Sequence, residues 1–174
     1  MKKIFSSVVL ILFAFGSAMA IHETKSAETQ AVMPPADAAK LYDYIKQAPY
    51  KSWQMWPGKK KLYKGTEPHG ALLTTYVNET ALKAIKSKAG ILPDGSIIVK
   101  ENYDQKKKLK ALSVMYKIKG FSPDTGDWFW ARYSSDGKVE AEGKVKGCID
   151  CHSKKKENDY IFTGPIGKPQ SPGY

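Results

Sequence analysis

The chain is 174 residues long and carries a formal net charge of +11, from 28 Lys and Arg against 17 Asp and Glu. That length gives one domain with a core of its own. Beyond the N-terminal apolar run no stretch is hydrophobic enough to span a bilayer, and the sequence holds no internal repeat or low-complexity tract.

The N-terminus reads Met1-Lys2-Lys3, then an apolar run from Val8 to Phe15, then Gly16-Ser17-Ala18-Met19-Ala20. A basic start, a short apolar core and a small-x-small ending make a secretory signal peptide, cleaved after Ala20. The run is shorter than the about 20 apolar residues that cross a membrane. The expected organisation is a signal over residues 1–20, a polar leader over 21–34 and one domain over 35–174, exported or periplasmic and free of the membrane after cleavage. Losing Lys2 and Lys3 lowers the charge by two, and the remaining lysines cluster as 59–61, 106–108 and 154–156. An exported protein meets little nucleic acid, so these read as solvated faces. The group at 154–156 is the best placed of them to dock an acidic, soluble redox partner.

Pro34-Pro35 precedes ADAAKLYDYIKQ, in which Leu41, Tyr44 and Ile45 repeat at helical spacing, predicting a helix from Ala36 to Gln47. SWQMWPGKKK reads as a loop broken at Pro57-Gly58. ALLTTYV (Ala71 to Val77) is strand-like, and ETALKAIKSK (Glu79 to Lys88) is helical. From there turn residues separate strands at Ser96 to Tyr103, Lys110 to Lys119, Asp127 to Tyr133 and Lys138 to Val145. Alternation puts Trp128, Trp130 and Arg132 on one face of their strand, with Phe129 and Ala131 on the other. The expected fold is α+β: a small antiparallel meander with two flanking helices.

The motif GCIDCHS follows the last strand and holds both cysteines of the chain, Cys148 and Cys151, with His152 directly after them. A Cys-x-x-Cys disulfide closes a small loop and adds little stability. A thioredoxin-like redox pair comes with a βαβ pattern that the surrounding chain lacks. A zinc site needs four ligands, and only His22 and His69 remain as further histidines. One c-type haem uses every residue of the motif, with thioether bonds to Cys148 and Cys151 and His152 on the iron. Small electron-carrying cytochromes are mostly helical and often carry the motif early, whereas here it comes after a β-rich region.

WPGKK, EPHGALLTTYVN, LPDGSIIVKENY, MYKIKGFSPDTGDWFWARYSSDGKV and GCIDCH together make the stretch from Leu41 to Phe162 resemble the cytochrome P-460 family, which includes cytochrome c′-beta. The resemblance implies an antiparallel β fold with flanking helices, a homodimer, one haem c, His152 as proximal ligand and an open distal side. Family members divide. In cytochromes P-460 proper a lysine is bonded to the porphyrin and the enzyme oxidises hydroxylamine; cytochromes c′-beta lack that bond and bind nitric oxide or carbon monoxide. The lysine implied by the resemblance falls just after TYVN, where Lys83 is the nearest candidate, with Lys100 of IIVKENY as a second. Lys83 also reads simply as an exposed helix residue.

Hydroxylamine oxidation needs a base. Glu140 and Glu142 lie on the strand leading to the motif, and alternation turns both to the same face, so Glu142 is the candidate; solvated strand charges are the plainer reading. Arg132 is a candidate partner for a propionate. Met33, Met55, Met115 and His69 are the possible sixth ligands, but Met115 reads as strand core and His69, between Pro68 and Gly70, as a turn residue. The expected iron is therefore open or water-bound and suited to small nitrogen-oxide ligands. Hydroxylamine oxidation and plain electron transfer stand as alternatives, and whether the chain is an enzyme stays open.

Overall fold

The computed structural model describes residues 32–167, so the expected export signal and nearly all of the expected polar leader lie outside the described residues. Helix α1 (Ala38–Gln47) starts where the Asp37 carboxylate accepts from the Lys40 amide at 2.8 Å. That cap sets the start two residues after the predicted one, because a capping residue keeps an extended backbone. Ala38, Leu41 and Ile45 form its buried stripe.

All strands pair antiparallel. β3 (Leu72–Val77), β4 (Ile97–Tyr103), β5 (Leu109–Lys117), β6 (Trp128–Ser134) and β7 (Val139–Gly143) run in chain order as a meander. Two-residue strands β1 (Gln54–Met55), inside the stretch read as a loop, and β2 (Tyr63–Lys64), just after it, both pair with β3. Helix α2 (Glu79–Ser87) links β3 to β4, and α3 (Lys146–His152) follows β7. The two predicted helices therefore flank the sheet, joined by a third that carries the Cys-x-x-Cys-His motif.

The sheet is apolar on both faces. Phe129, Ala131 and Tyr133 of β6 pack with Leu41 and Ile45 of α1, while Trp128 and Trp130 pack with Val77, Ile98 and Met115 under α2 and the C-terminal segment. The face assignment from alternation is thus borne out for β6. Each fully buried side chain of this size contributes about 1.5–3 kcal/mol relative to exposure. Asn78 joins the second layer to the sheet. Its Oδ1 accepts from Ala81 N (3.1 Å) at the start of α2 and from Ile97 N (3.0 Å) at the start of β4, and its Nδ2 donates to Gly95 O (2.8 Å).

One irregularity corrects a predicted orientation. β6 and β7 pair as Arg132 with Ala141 but Tyr133 with Val139, leaving Glu140 as an extra bulged residue. Glu140 and Glu142 therefore part company. Glu140 meets Arg132 at 2.8 Å, and Glu142 accepts from Ala38 N at 2.9 Å, on the α1 side of the sheet.

Candidate haem site

The motif sits on a one-sided stretch of α3. Residues three and four apart share a helix face, so Cys148, Cys151 and His152 all reach one cleft between α3 and the sheet. Both cysteines are free thiols, Cys148 half-buried and Cys151 exposed. Burial raises the Cys148 thiol above its ordinary value, and Arg132 draws it partly back.

His152 is buried, and its ring is fixed from behind. The Nδ1–H donates to Tyr160 O at 2.6 Å, which leaves Nε2 as the nitrogen with a free lone pair. Trp130 and Phe162 hold the ring at centroid distances of 4.7 and 5.2 Å. Desolvation lowers the imidazole's proton affinity, with the Tyr160 bond opposing, and the neutral form is the one that ligates a metal.

Across the cleft stand the residues that β4, β5 and β6 turn toward α3. Ile98, Met115 and Trp130 form an apolar wall, and Lys100, Ser113 and Arg132 make its polar part. The cleft holds about 280 Å³, and a second hollow of about 320 Å³ adjoins it past Lys100, toward Lys59 and Lys64. Trp130 Nε1 is buried without a hydrogen-bond acceptor. Among the described residues no group of three or more His, Cys, Asp or Glu is arranged to hold a bare metal ion. An apolar slot with two thiols and an imidazole on one wall, basic side chains on the other and an orphaned indole N–H fits a flat, anionic, covalently attached macrocycle.

The lysine candidates separate cleanly. Lys83 lies on α2, is 74% exposed and pairs with Glu79 at 2.6 Å, outside the cleft. Lys100 is 9% exposed, lines both hollows, and makes no hydrogen bond or salt bridge among the described residues. Burial lowers its pKa to about 8, with the Cys151 thiol opposing and Lys59 adding to the fall. Glu142, bound to the α1 amide, is not among the cleft's lining residues.

Of the sixth-ligand candidates, Met33 accepts from Tyr44 OH (3.5 Å) beside α1 and Met55 is exposed on β1, both away from the cleft. Met115 and His69 line it. The His69 and His152 rings stand perpendicular with centroids 6.2 Å apart. His69 Nδ1 is tied to Ser113 Oγ at 3.3 Å, and Asn102 Nδ2 donates to that same oxygen at 2.8 Å. Gly70 lets the chain bring His69 here: its φ is +100°, and a Cβ there would stand 2.8 Å from Tyr103 O. Burial lowers the His69 pKa to about 3, with Lys100, His152 and Arg132 adding to the effect, so the ring is neutral. Sequence reasoning missed Ser113, Asn102 and the Tyr160 carbonyl, because each acts through register or backbone placement.

Fold and cleft together define a haem-binding class: an antiparallel sheet whose inner face meets a Cys-x-x-Cys-His helix. The Cytochrome P460 family model matches residues 47–163, well over half of the chain, and the chain belongs to that family. No curated protein matches the sequence. The family of cytochromes implies a haem cofactor, in line with the resemblance read from the motifs.

Proposed function

We propose that the protein is exported, carries one haem c bonded through Cys148 and Cys151 with His152 as proximal ligand, and takes small nitrogen compounds such as hydroxylamine or nitric oxide. One observation carries this reading: Lys100, buried and without a hydrogen-bond or ion-pair partner among the described residues, shares the cleft with both thiols and the imidazole. An unpaired buried ammonium is costly, and burial favours the neutral amine that a bond to the porphyrin would need. Making that N–C bond in place of an N–H and a C–H would release two protons and two electrons to a two-electron oxidant such as a peroxide. The resemblance implies such a lysine, and Lys100 takes the part first assigned to Lys83.

When bound, the haem supplies a redox-active iron with a position for a small ligand. The chain's residues do the rest. Tyr160 O holds the His152 tautomer, Trp130 packs on the His152 ring, and Ile98 and Met115 add apolar lining that keeps the cleft dry. Glu142 does not line the cleft and drops out as the base, while His69, anchored at Nδ1 on Ser113, does line it. The burial that holds the His69 pKa near 3 makes it a hydrogen-bond acceptor for a ligand N–H or O–H rather than a proton acceptor. The electrons released leave to a soluble acceptor, for which the exposed Lys154 beside the motif offers a cationic approach. The resemblance further implies a homodimer, which sedimentation of the purified holoprotein tests.

A second reading rests on one distance. Two imidazoles sharing one metal, with bonds of about 2.0–2.1 Å, stand with ring centres about 6 Å apart. The 6.2 Å between His69 and His152 matches that spacing, and two histidine ligands suit electron transfer.

Mass spectrometry of proteolysed holoprotein tests the first reading. The expected species joins the Cys148–His152 peptide, one haem and the Lys100 peptide. A two-part haem peptide with Lys100 unmodified would contradict the lysine bond and leave a ligand-binding or electron-carrying haem c.

A further inference from the structure

Behind the cleft a second polar cluster lies where the fold is otherwise apolar. Lys117, at the end of β5, and Asp159, just past α3, form an ion pair at 2.5 Å with side chains only 9% and 5% exposed. Lys117 Nζ also stands 4.7 Å above the Trp128 ring. Buried pairs of this kind are often no more stabilising than well-packed apolar residues, so stability alone does not account for it.

What the pair touches supplies another account. Asp159 and Tyr160 are consecutive non-glycine residues at φ of 51° and 67°. A side chain in this left-handed region is strained and persists only where its surroundings over-determine it. Those surroundings are visible. Asp159 Oδ1 meets Lys117, Oδ2 accepts from Leu92 N at 2.9 Å, and the Asp159 carbonyl accepts from Trp128 Nε1 at 3.0 Å. The Tyr160 hydroxyl donates to Asp124 O at 3.2 Å, and its ring lies so close over Gly126 that a Cβ there would approach within 2.7 Å. The carbonyl of this pinned turn at Tyr160 is the acceptor of His152 Nδ1–H.

We infer that the Lys117–Asp159 ion pair positions the proximal histidine: it locks the left-handed turn whose Tyr160 carbonyl fixes the tautomer, orientation and basicity of His152. Lys117 and Asp159 are positioning residues, acting on the iron ligand through a strained backbone. The inference rests on the proposal that His152 ligates the haem iron. A firm Nδ1–H bond makes an imidazole a stronger electron donor, so loosening the turn weakens the iron–histidine bond and favours the ferrous state.

The test is resonance Raman of the photolysed carbon monoxide complex, which gives a five-coordinate ferrous haem whatever the resting sixth ligand, together with the midpoint potential. Lys117→Met and Asp159→Asn are expected to shift the iron–histidine stretch to lower frequency and raise the potential, while Lys117→Arg keeps both near wild type. Trp128→Phe removes the Nε1–H bond to Asp159 O, shrinks a buried side chain and weakens the ring contact with Lys117 while leaving the ion pair's charges in place. It moves both in the same direction by less and serves if the charge variants do not fold. Unchanged frequency and potential in every variant that folds, even with a lowered melting temperature, would overturn the inference. Absence of an iron–histidine band in the wild type would instead sink the haem-ligand assignment on which it stands.

Discussion

His152 and Lys100 are both buried basic groups, but the structure treats them differently. The imidazole has a dedicated acceptor at Tyr160 O, and the amine makes no hydrogen bond or ion pair among the described residues. The Cys-x-x-Cys-His motif was legible from spacing alone, because three residues in a fixed pattern mark it. Which lysine enters its cleft was not. Lys83 and Lys100 are separated by their faces, and the face of Lys100 depends on β4 pairing with β5 at Ser113 and on what lies above the sheet. Lys83→Ala is expected to leave the absorption spectrum of the holoprotein unchanged, whereas Lys100→Arg returns an ordinary haem c spectrum; a change in the first variant would reinstate Lys83. His69→Phe tests the pocket's imidazole. It should lower hydroxylamine turnover by up to about tenfold, the value of one lost hydrogen bond, without changing the ferrous spin state. Conversion of a low-spin iron to high spin on this substitution would establish His69 as the sixth ligand instead.

Elements with a strong period or clear turn residues were read correctly in kind, including both flanking helices and the five long strands. β1 and β2 escaped because two-residue strands have no period; their existence depends on β3 offering an edge. The direction of Glu142 escaped for a related reason. A single bulge at Glu140 reverses the alternation of β7, and nothing in KVEAEGKV announces it. Glu142→Ala is therefore expected to cost about 1 kcal/mol or less through the freed Ala38 amide, visible as a small drop in melting temperature with unaltered ligand binding. Loss of hydroxylamine turnover in this variant would restore Glu142 as a base. Asn78 carries more. Asn78→Ala removes a helix cap and leaves the buried Ile97 amide unpaired, for an expected loss of about 2–3 kcal/mol in denaturant unfolding. A loss below about 0.5 kcal/mol would show that water replaces the side chain.

At the scale of the whole molecule, the sheet works as a partition. One face packs on α1 and supports structure; the other faces α3 and supplies Lys100, Ser113, Trp130 and Arg132 to the cleft. Neighbouring residues on β4 show the division: Glu101 is held on the α1 side by Tyr50 OH (2.9 Å) and Tyr103 OH (2.6 Å), while Lys100 points the other way. This partition lets a chain with one short motif present a basic residue, an apolar wall and a neutral imidazole to the same macrocycle. The absorption spectrum of the ferrous holoprotein, before and after alkaline pyridine, tests that account most directly. A Soret band displaced to the red with an abnormal haemochrome, both abolished by Lys100→Arg, is the predicted result. An ordinary c-type haemochrome in the wild-type protein would contradict it.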